Sequence, residues 1–315
     1  MEPGERLLIA GFLKVDSLTM RRSCFVSLMG LAFSAHAQDA ELGVRYWYSE
    51  AKTTRSHNAQ GVAPALGNPT SVLTYEDLDA HALELHGRKS FAGAWFLKGS
   101  VGFGEIYRGS LDDEDFFAGQ VKFSDSTSAV KGNKLGYAIL DLGYDLWHVH
   151  NGSAGLFVGY HYWSERLDAY GATFTAGGGG GIPDSVPVIT NQVRWHSLRT
   201  GLTSTARLSS TTRLSAEVVL VPYAKVRDED SHWLRQDSDD LGPAPNIIIK
   251  GRGYGVQLEL ELRQVVHGAW EVGAGLRHWW LRAQDGSREA AGTSVPLVEL
   301  ESQRTGLTLS LTRRW

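Results

Sequence analysis

From Glu41 to the end of the chain, apolar and polar residues alternate with a period of two. That period puts successive side chains on opposite faces of a strand, so each such stretch predicts a β-strand with one apolar and one polar face. Ten stretches recur, over 41–50, 73–88, 92–108, 134–148, 153–168, 190–208, 211–226, 246–266, 269–283 and 296–315. In the eighth, Tyr254, Val256, Leu258, Leu260 and Leu262 alternate with Gln257, Glu259, Glu261 and Arg263. In the last, Leu307, Leu309 and Leu311 alternate with Thr308, Ser310 and Thr312, and in the fourth Leu140, Leu142, Tyr144 and Leu146 alternate with Asp141, Gly143 and Asp145.

An antiparallel sandwich alternates as well. Two features favour a membrane barrel: the stretches are long, and their second face carries Glu217, Glu259, Glu261, Arg263, Glu271 and Arg277, which suits a wet interior. The expected fold is all-β, a ten-stranded antiparallel transmembrane β-barrel with long extracellular loops. The connections alternate in length. Short ones fall near 87–93, 148–153, 208–212 and 266–269, and long ones near 51–72, 109–133, 169–189, 227–245 and 283–295. In such barrels short turns are periplasmic and long loops extracellular. The glycine run at 177–181 predicts a flexible third long loop.

Composition adds limits. No apolar run reaches the roughly 20 residues of a spanning helix. A net charge of −4 argues against nucleic acid as a partner. The N-terminus reads as an export signal: Arg21 and Arg22, an apolar core from Cys24 to Phe33, and the small-x-small site Ala35-His36-Ala37 before Gln38. Residues 1–37 are thus expected to be an upstream extension plus signal peptide, with Met20 as the start and cleavage after Ala37. Residues 38–315 are expected to form an outer-membrane barrel. Cys24 is the sole cysteine, so the mature chain would carry no disulfide.

Candidate chemistry lies in two acidic stretches, 111–116 (LDDEDF) and 228–233 (DEDSHW). The first offers Asp113 and Asp115 two apart, and the second Asp230 and His232 two apart. Paired carboxylates opposite a carboxylate–imidazole pair can position and deprotonate a water molecule. Both stretches fall in long connections, one after the third predicted strand and one after the seventh. That is nearly opposite in a ring of ten that is roughly 20 Å across. Extending the alternation from Trp95 and Leu97, or from Leu214 and Val218, would turn all four residues toward lipid. A bulge must therefore intervene, near Gly102, Gly104 or Gly109 in one case and near Pro222 in the other.

The motifs together resemble the omptin family of outer-membrane endopeptidases. Residues 109–116 (GSLDDEDF) are similar to that family's Asp-x-Asp-aromatic stretch. Residues 135–138 (LGYA), running on to Asp141, Leu142 and Trp147, are similar to the strand that follows it. Residues 228–232 (DEDSH) are similar to its Asp-x-Asp-x-His stretch, and the terminal Trp315 to the last aromatic residue of bacterial outer-membrane barrels. The resemblance implies catalytic roles for Asp113, Asp115, Asp230 and His232, with neither a covalent intermediate nor a metal. It implies that Asp228, with Glu50 as a second carboxylate, binds a basic side chain at the cut, so that substrates are peptides or proteins cleaved at Arg or Lys. It also implies outer-membrane lipid as a partner and lipopolysaccharide as a requirement for activity. Arg166 and Arg194, on adjacent predicted strands with Tyr160 and Tyr162 of the same outward parity, are the candidate ligands of its phosphates.

Plainer readings stand beside these. An acidic loop is commonly only solvated, and this one lacks the spacing of a known calcium loop. The two arginines would equally snorkel at the headgroups. Trp47, Trp95, Trp163, Trp195, Trp279 and Trp280 read as an interface girdle. Two other functions remain in view, a catalytically idle barrel that acts as an adhesin or binding surface, and a small porin. Ten strands leave little room for a channel.

Overall fold

A computed structural model describes residues 40–315, except 92, 150, 178, 179, 238 and 239. The expected export signal lies outside the described residues. The chain forms eleven strands: β1 (Ala40–His57), β2 (Ser71–Phe91), β3 (Trp95–Phe117), β4 (Val121–Val130), β5 (Asn133–Val149), β6 (Gly152–Ala176), β7 (Ile182–Arg207), β8 (Thr212–His232), β9 (Ile247–His267), β10 (Trp270–Ala290) and β11 (Thr293–Arg314). Every pairing is antiparallel, and the sheet closes because β2 pairs with both β1 and β3 while β11 pairs with β1.

Eleven strands make a ring of ten staves. β4 pairs with the outer parts of β3 and β6, and β5 pairs with their inner parts, so β4 and β5 lie end to end as one stave. The break falls at Gly132, whose φ of +72° is a left-handed conformation that glycine adopts without strain.

The outward face follows the sequence pattern. Val44 faces Leu311 and Tyr48 faces Leu307 across the β1–β11 seam, all exposed, and Leu258, Leu260 and Leu262 continue the apolar band on β9. The band ends abruptly. Beyond Tyr48 the outward positions of β1 are Glu50 and Lys52, beyond Leu220 and Tyr223 those of β8 are Lys225, Arg227 and Glu229, and beyond Tyr254 those of β9 are Arg252 and Lys250. A strand of 21 residues such as β9 is roughly 70 Å long at ~3.3 Å per residue, whereas a barrel's apolar band is about 25 Å tall. Much of each strand therefore stands clear of the band.

That length corrects the expected loop boundaries. Residues 111–116 belong to β3 and residues 228–232 end β8, so both acidic stretches lie on strands that continue beyond the apolar band. Past the band the outward face is polar and the buried inward face also carries polar residues such as Asp228, Asp230 and His232, so alternation fades and a paired strand reads as a polar loop.

The middle of the interior is filled rather than open. Trp47, Tyr137, His161, Trp163 and Trp279 form a cluster of ring contacts, with Trp47 and Trp279 centroids 4.7 Å apart. The expected girdle is thus wrong for Trp47, Trp163, Trp195 and Trp279, which are buried on the inward parity, while Trp95 is exposed outside. Below the cluster, Glu84 accepts from Arg45 at 2.8 Å, Arg277 at 2.7 Å and Tyr137 at 2.9 Å. Arg304 pairs with Glu165 at 2.8 Å, both fully buried. Buried charges persist where they are paired in this way. A cavity of about 530 Å³ lies beneath, at the short-turn end, lined by such ion pairs.

Candidate active site

Two bulges aim the site. In β8, Val219 and Val221 face inward, the register slips between Val221 and Ala224, and Ala224, Val226, Asp228, Asp230 and His232 then take the inward positions. Pro222 and Tyr223 are the residues passed over. In β3, Ile106 faces inward, the register with β2 slips around Asp79 and Arg108, and Leu111, Asp113 and Asp115 become the inward set next to Gly109. One extra residue per strand reverses which face each later side chain occupies. The parity conflict in the sequence is resolved in both strands, near the expected proline and glycine.

Asp113, Asp115, Asp230 and His232 line one cavity of about 120 Å³ at the outer end of the barrel, with Arg55, His57, Ser71, Leu73, Arg235 and Arg288 among the other walls. At about 30 Å³ per molecule, that is room for a few waters. Asp113 and Asp115 face Leu73 and Ser71 of β2 on one side and Ser126 and Ser124 of β4 on the other.

His232 ends β8 and is fixed through its backbone. Its N–H donates to Asn246 Oδ1 at 2.9 Å, and Asn246 Nδ2 donates back to its carbonyl at 3.2 Å. His232 Nε2 lies 3.7 Å from Asp230 Oδ2. That is too long for a hydrogen bond, and Nε2 has no hydrogen-bond partner among the described residues. Asp230 is anchored by Arg55 Nη2 at 2.5 Å and Asn191 Nδ2 at 3.1 Å.

The electrostatics divide the carboxylates. Burial, reinforced by the charge of Asp115, pushes Asp113 up to about 6. Burial also raises Asp115, against the pull of the Ser71 hydroxyl and of Arg235 and Arg288. Burial acts on Asp230 too, but Arg55, His232 and Asn191 outweigh it and hold that carboxyl below the usual range. One carboxylate is thus committed to charge beside the imidazole, while the facing pair is poised to hold a proton. His57 is driven down to about 3 by burial and by Arg288 and Arg55, so it stays neutral.

The residues assigned to a basic side chain fare differently. Asp228 is 1% exposed, pairs with Arg55 Nη1 at 2.7 Å, accepts from Asn191 Nδ2, and is not part of the cavity wall. Glu50 occupies an outward position on β1, between the inward Ser49 and Ala51, so it cannot serve as a second carboxylate inside. Arg166 and Arg194 do face outward beyond the apolar band. Arg166 pairs with Asp168 at 3.2 Å and Arg194 with Glu229 at 2.7 Å. Arg55, Asn191, Arg235, Asn246 and Arg288 are missed by the sequence motifs. Two had a signal: continuing the inward parity of Arg45, Trp47 and Ser49 past residue 50 reaches Arg55, and Asn191 lies in the predicted stretch 190–208 on the parity opposite to Arg194.

No protein-family model matches the chain, and no curated protein does. Among solved structures, the outer membrane protease OmpT from Escherichia coli superposes with a TM-score of 0.69 at 14% identity, over 90% of this chain and 99% of that one. The Pseudomonas putida toluene transporter TodX (TM-score 0.31, 9% identity, 89% of this chain and 91% of that one) and Ail of Yersinia pestis (0.28, 7%, 87% and 99%) match far more loosely. At such identity the first likeness speaks to the fold, and the chain is an all-β barrel with an omptin-like fold.

Proposed function

We propose that this barrel is an outer-membrane endopeptidase that hydrolyses peptide bonds with water, its outer rim facing the exterior. The observation that carries the reading is the meeting of two residue pairs from far sides of the ring. Asp113 and Asp115 from β3, and Asp230 and His232 from β8, line one small cavity. The unpartnered His232 Nε2 accepts a proton from water held by the Asp113–Asp115 pair, and Asp230 stabilises the imidazolium that results. The hydroxide adds to the scissile carbonyl, and the imidazolium returns the proton to the leaving amine. The fold shared with a protease supports the same reading.

Cleavage beside Arg or Lys, which the resemblance implies, needs a carboxylate facing the substrate. Neither Asp228 nor Glu50 offers one, so that preference is not part of the proposal. A porin is disfavoured by the aromatic cluster and ion pairs that fill the interior. The test is incubation of the refolded barrel with a quenched-fluorescence peptide mixture, with and without lipopolysaccharide, and mass analysis of the products. Cuts that disappear in His232→Ala support the reading. Intact peptides under both conditions overturn it and leave a barrel that acts by binding alone.

A further inference from the structure

Among the three arginines that line the cavity, one has no close carboxylate partner, where the motif resemblance would place a free carboxylate. Arg55 reaches from β1 to Asp228 and Asp230, so the carboxylate nearest the cavity floor is neutralised from within. Arg235 is committed to Asp240, with contacts of 2.9 and 2.7 Å. Arg288 differs from both. It sits near the outer end of β10, in register with Ile249 of β9 and Val295 of β11, which are both buried on the inward face. It lines the same cavity as Asp113, Asp115, Asp230 and His232, and its side chain feels the charges of Asp230 and Asp115 but makes no close ion pair or hydrogen bond with any described residue.

We infer that Arg288 is the specificity-determining residue of this cavity and that it binds an acidic side chain, Asp or Glu, beside the bond to be cut. The inference rests on the peptidase reading for the bond cut, but the binding itself does not depend on cleavage. A half-buried guanidinium with its donors free matches a carboxylate in shape and charge, and two parallel N–H···O bonds fix the orientation of the bound chain. Partial burial lowers screening and strengthens the pair. A substrate Arg or Lys would meet Arg288 with no uncommitted carboxylate apart from those that hold the water. Like charges at such range disfavour the wrong substrate as effectively as the right contact favours the correct one.

The experiment uses the refolded full barrel and paired peptides that differ only in carrying Asp or Arg next to a common cut. Cleavage rates and fluorescence-anisotropy binding are measured for wild type, Arg288→Gln and Arg288→Lys. The expected result is kcat/KM at least about tenfold higher for the Asp peptide. That advantage is lost in Arg288→Gln and partly kept in Arg288→Lys, with unchanged heat-modifiable migration. Preferential cleavage of the Arg peptide by wild type overturns the inference while leaving the peptidase reading intact. If neither peptide is cut, Arg288-dependent binding of the Asp peptide upholds the recognition and removes only the hydrolysis. Equal binding of both peptides, unaffected by Arg288→Gln, overturns the recognition as well.

Discussion

Arg55 of β1 and Asp228 of β8 close to 2.7 Å across the mouth of the barrel, although β11, β10 and β9 separate their strands around the ring. The same guanidinium holds Asp230 at 2.5 Å. One cation thus ties together the floor of the site from two distant staves. Removing one partner of a buried pair costs about 3–5 kcal/mol, because the other charge is left uncompensated. Arg55→Met should lower the unfolding free energy by about that much, read from the denaturant midpoint of the refolded barrel. Asp228→Asn placed on top of it should recover part of the loss. Equal stability of wild type and Arg55→Met would show the pair to be solvated in practice.

The catalytic assignment predicts a different signature. A general base contributes about 10²–10⁴-fold, so His232→Ala and Asp113→Asn should each lower kcat by that range. The apolar band and the aromatic core lie far below both residues, so boiled and unboiled samples should still migrate differently in detergent gels. A variant that keeps full turnover would remove its residue from the mechanism.

The pH dependence follows from Asp113. Its carboxyl titrates near 6, above the ordinary 3.8, because burial and Asp115 disfavour the charge. The neutral form is therefore the stabilising one. Its contribution is fully present below about pH 4 and is lost as pH rises through about 6. If the charged form polarises the attacking water, activity should rise through that same window while stability falls. A pH–rate profile of wild type should inflect near 6, and Asp113→Asn should lose that inflection. An inflection that survives the substitution would assign it to another group.

These residues also show what the sequence could and could not convey. The period-two stretches located the staves well where one face met lipid. The eighth predicted stretch, 246–266, differs from β9 by one residue at each end. Above the band the outward face is polar and the inward positions include Asp113, Asp115, Asp228 and Asp230, so no hydrophobic contrast marks the strands, and β3 and β8 ran on unseen beyond Arg108 and Val226. Arg288 was invisible for the same reason, because β10 continues to Ala290 after a bulge near Gln284. Trp47 and Trp163 were misplaced because large aromatic rings suit both a headgroup girdle and a packed lumen, and only strand parity separates the two. The two pairs that meet in the cavity were legible because their spacing is local, whereas Arg55 acts through a contact that spans 173 residues of sequence.

The filled interior makes a prediction of its own. Trp279 contacts Trp47, Tyr137, His161 and Trp163, and its ring is almost wholly buried. Trp279→Ala should cost about 3–5 kcal/mol through the cavity it leaves. Wild-type barrels in a planar bilayer should give no stable open conductance. A steady open level in wild type would instead favour the porin reading.

The outward basic band bears on lipid. Lys134 faces Arg166 across β5 and β6, and Arg194 faces Arg227, which in turn faces Lys250, across β7, β8 and β9. All stand just beyond the apolar band, above the exposed Tyr160. Asp168 and Glu229 pair with Arg166 and Arg194 but leave donors on each guanidinium. Phosphates at headgroup height would compete for those donors, each arginine contributing on the order of 1 kcal/mol. If lipopolysaccharide activates the barrel, replacing Arg166 and Arg194 together with Ala should raise the lipid concentration required about 30-fold. The increase should shrink as salt is raised, because screening weakens the wild-type attraction first. Folding should be unaffected, since both side chains lie on the solvent side of the sheet. An unchanged lipid requirement in the double variant would leave the two arginines as ordinary partners of Asp168 and Glu229.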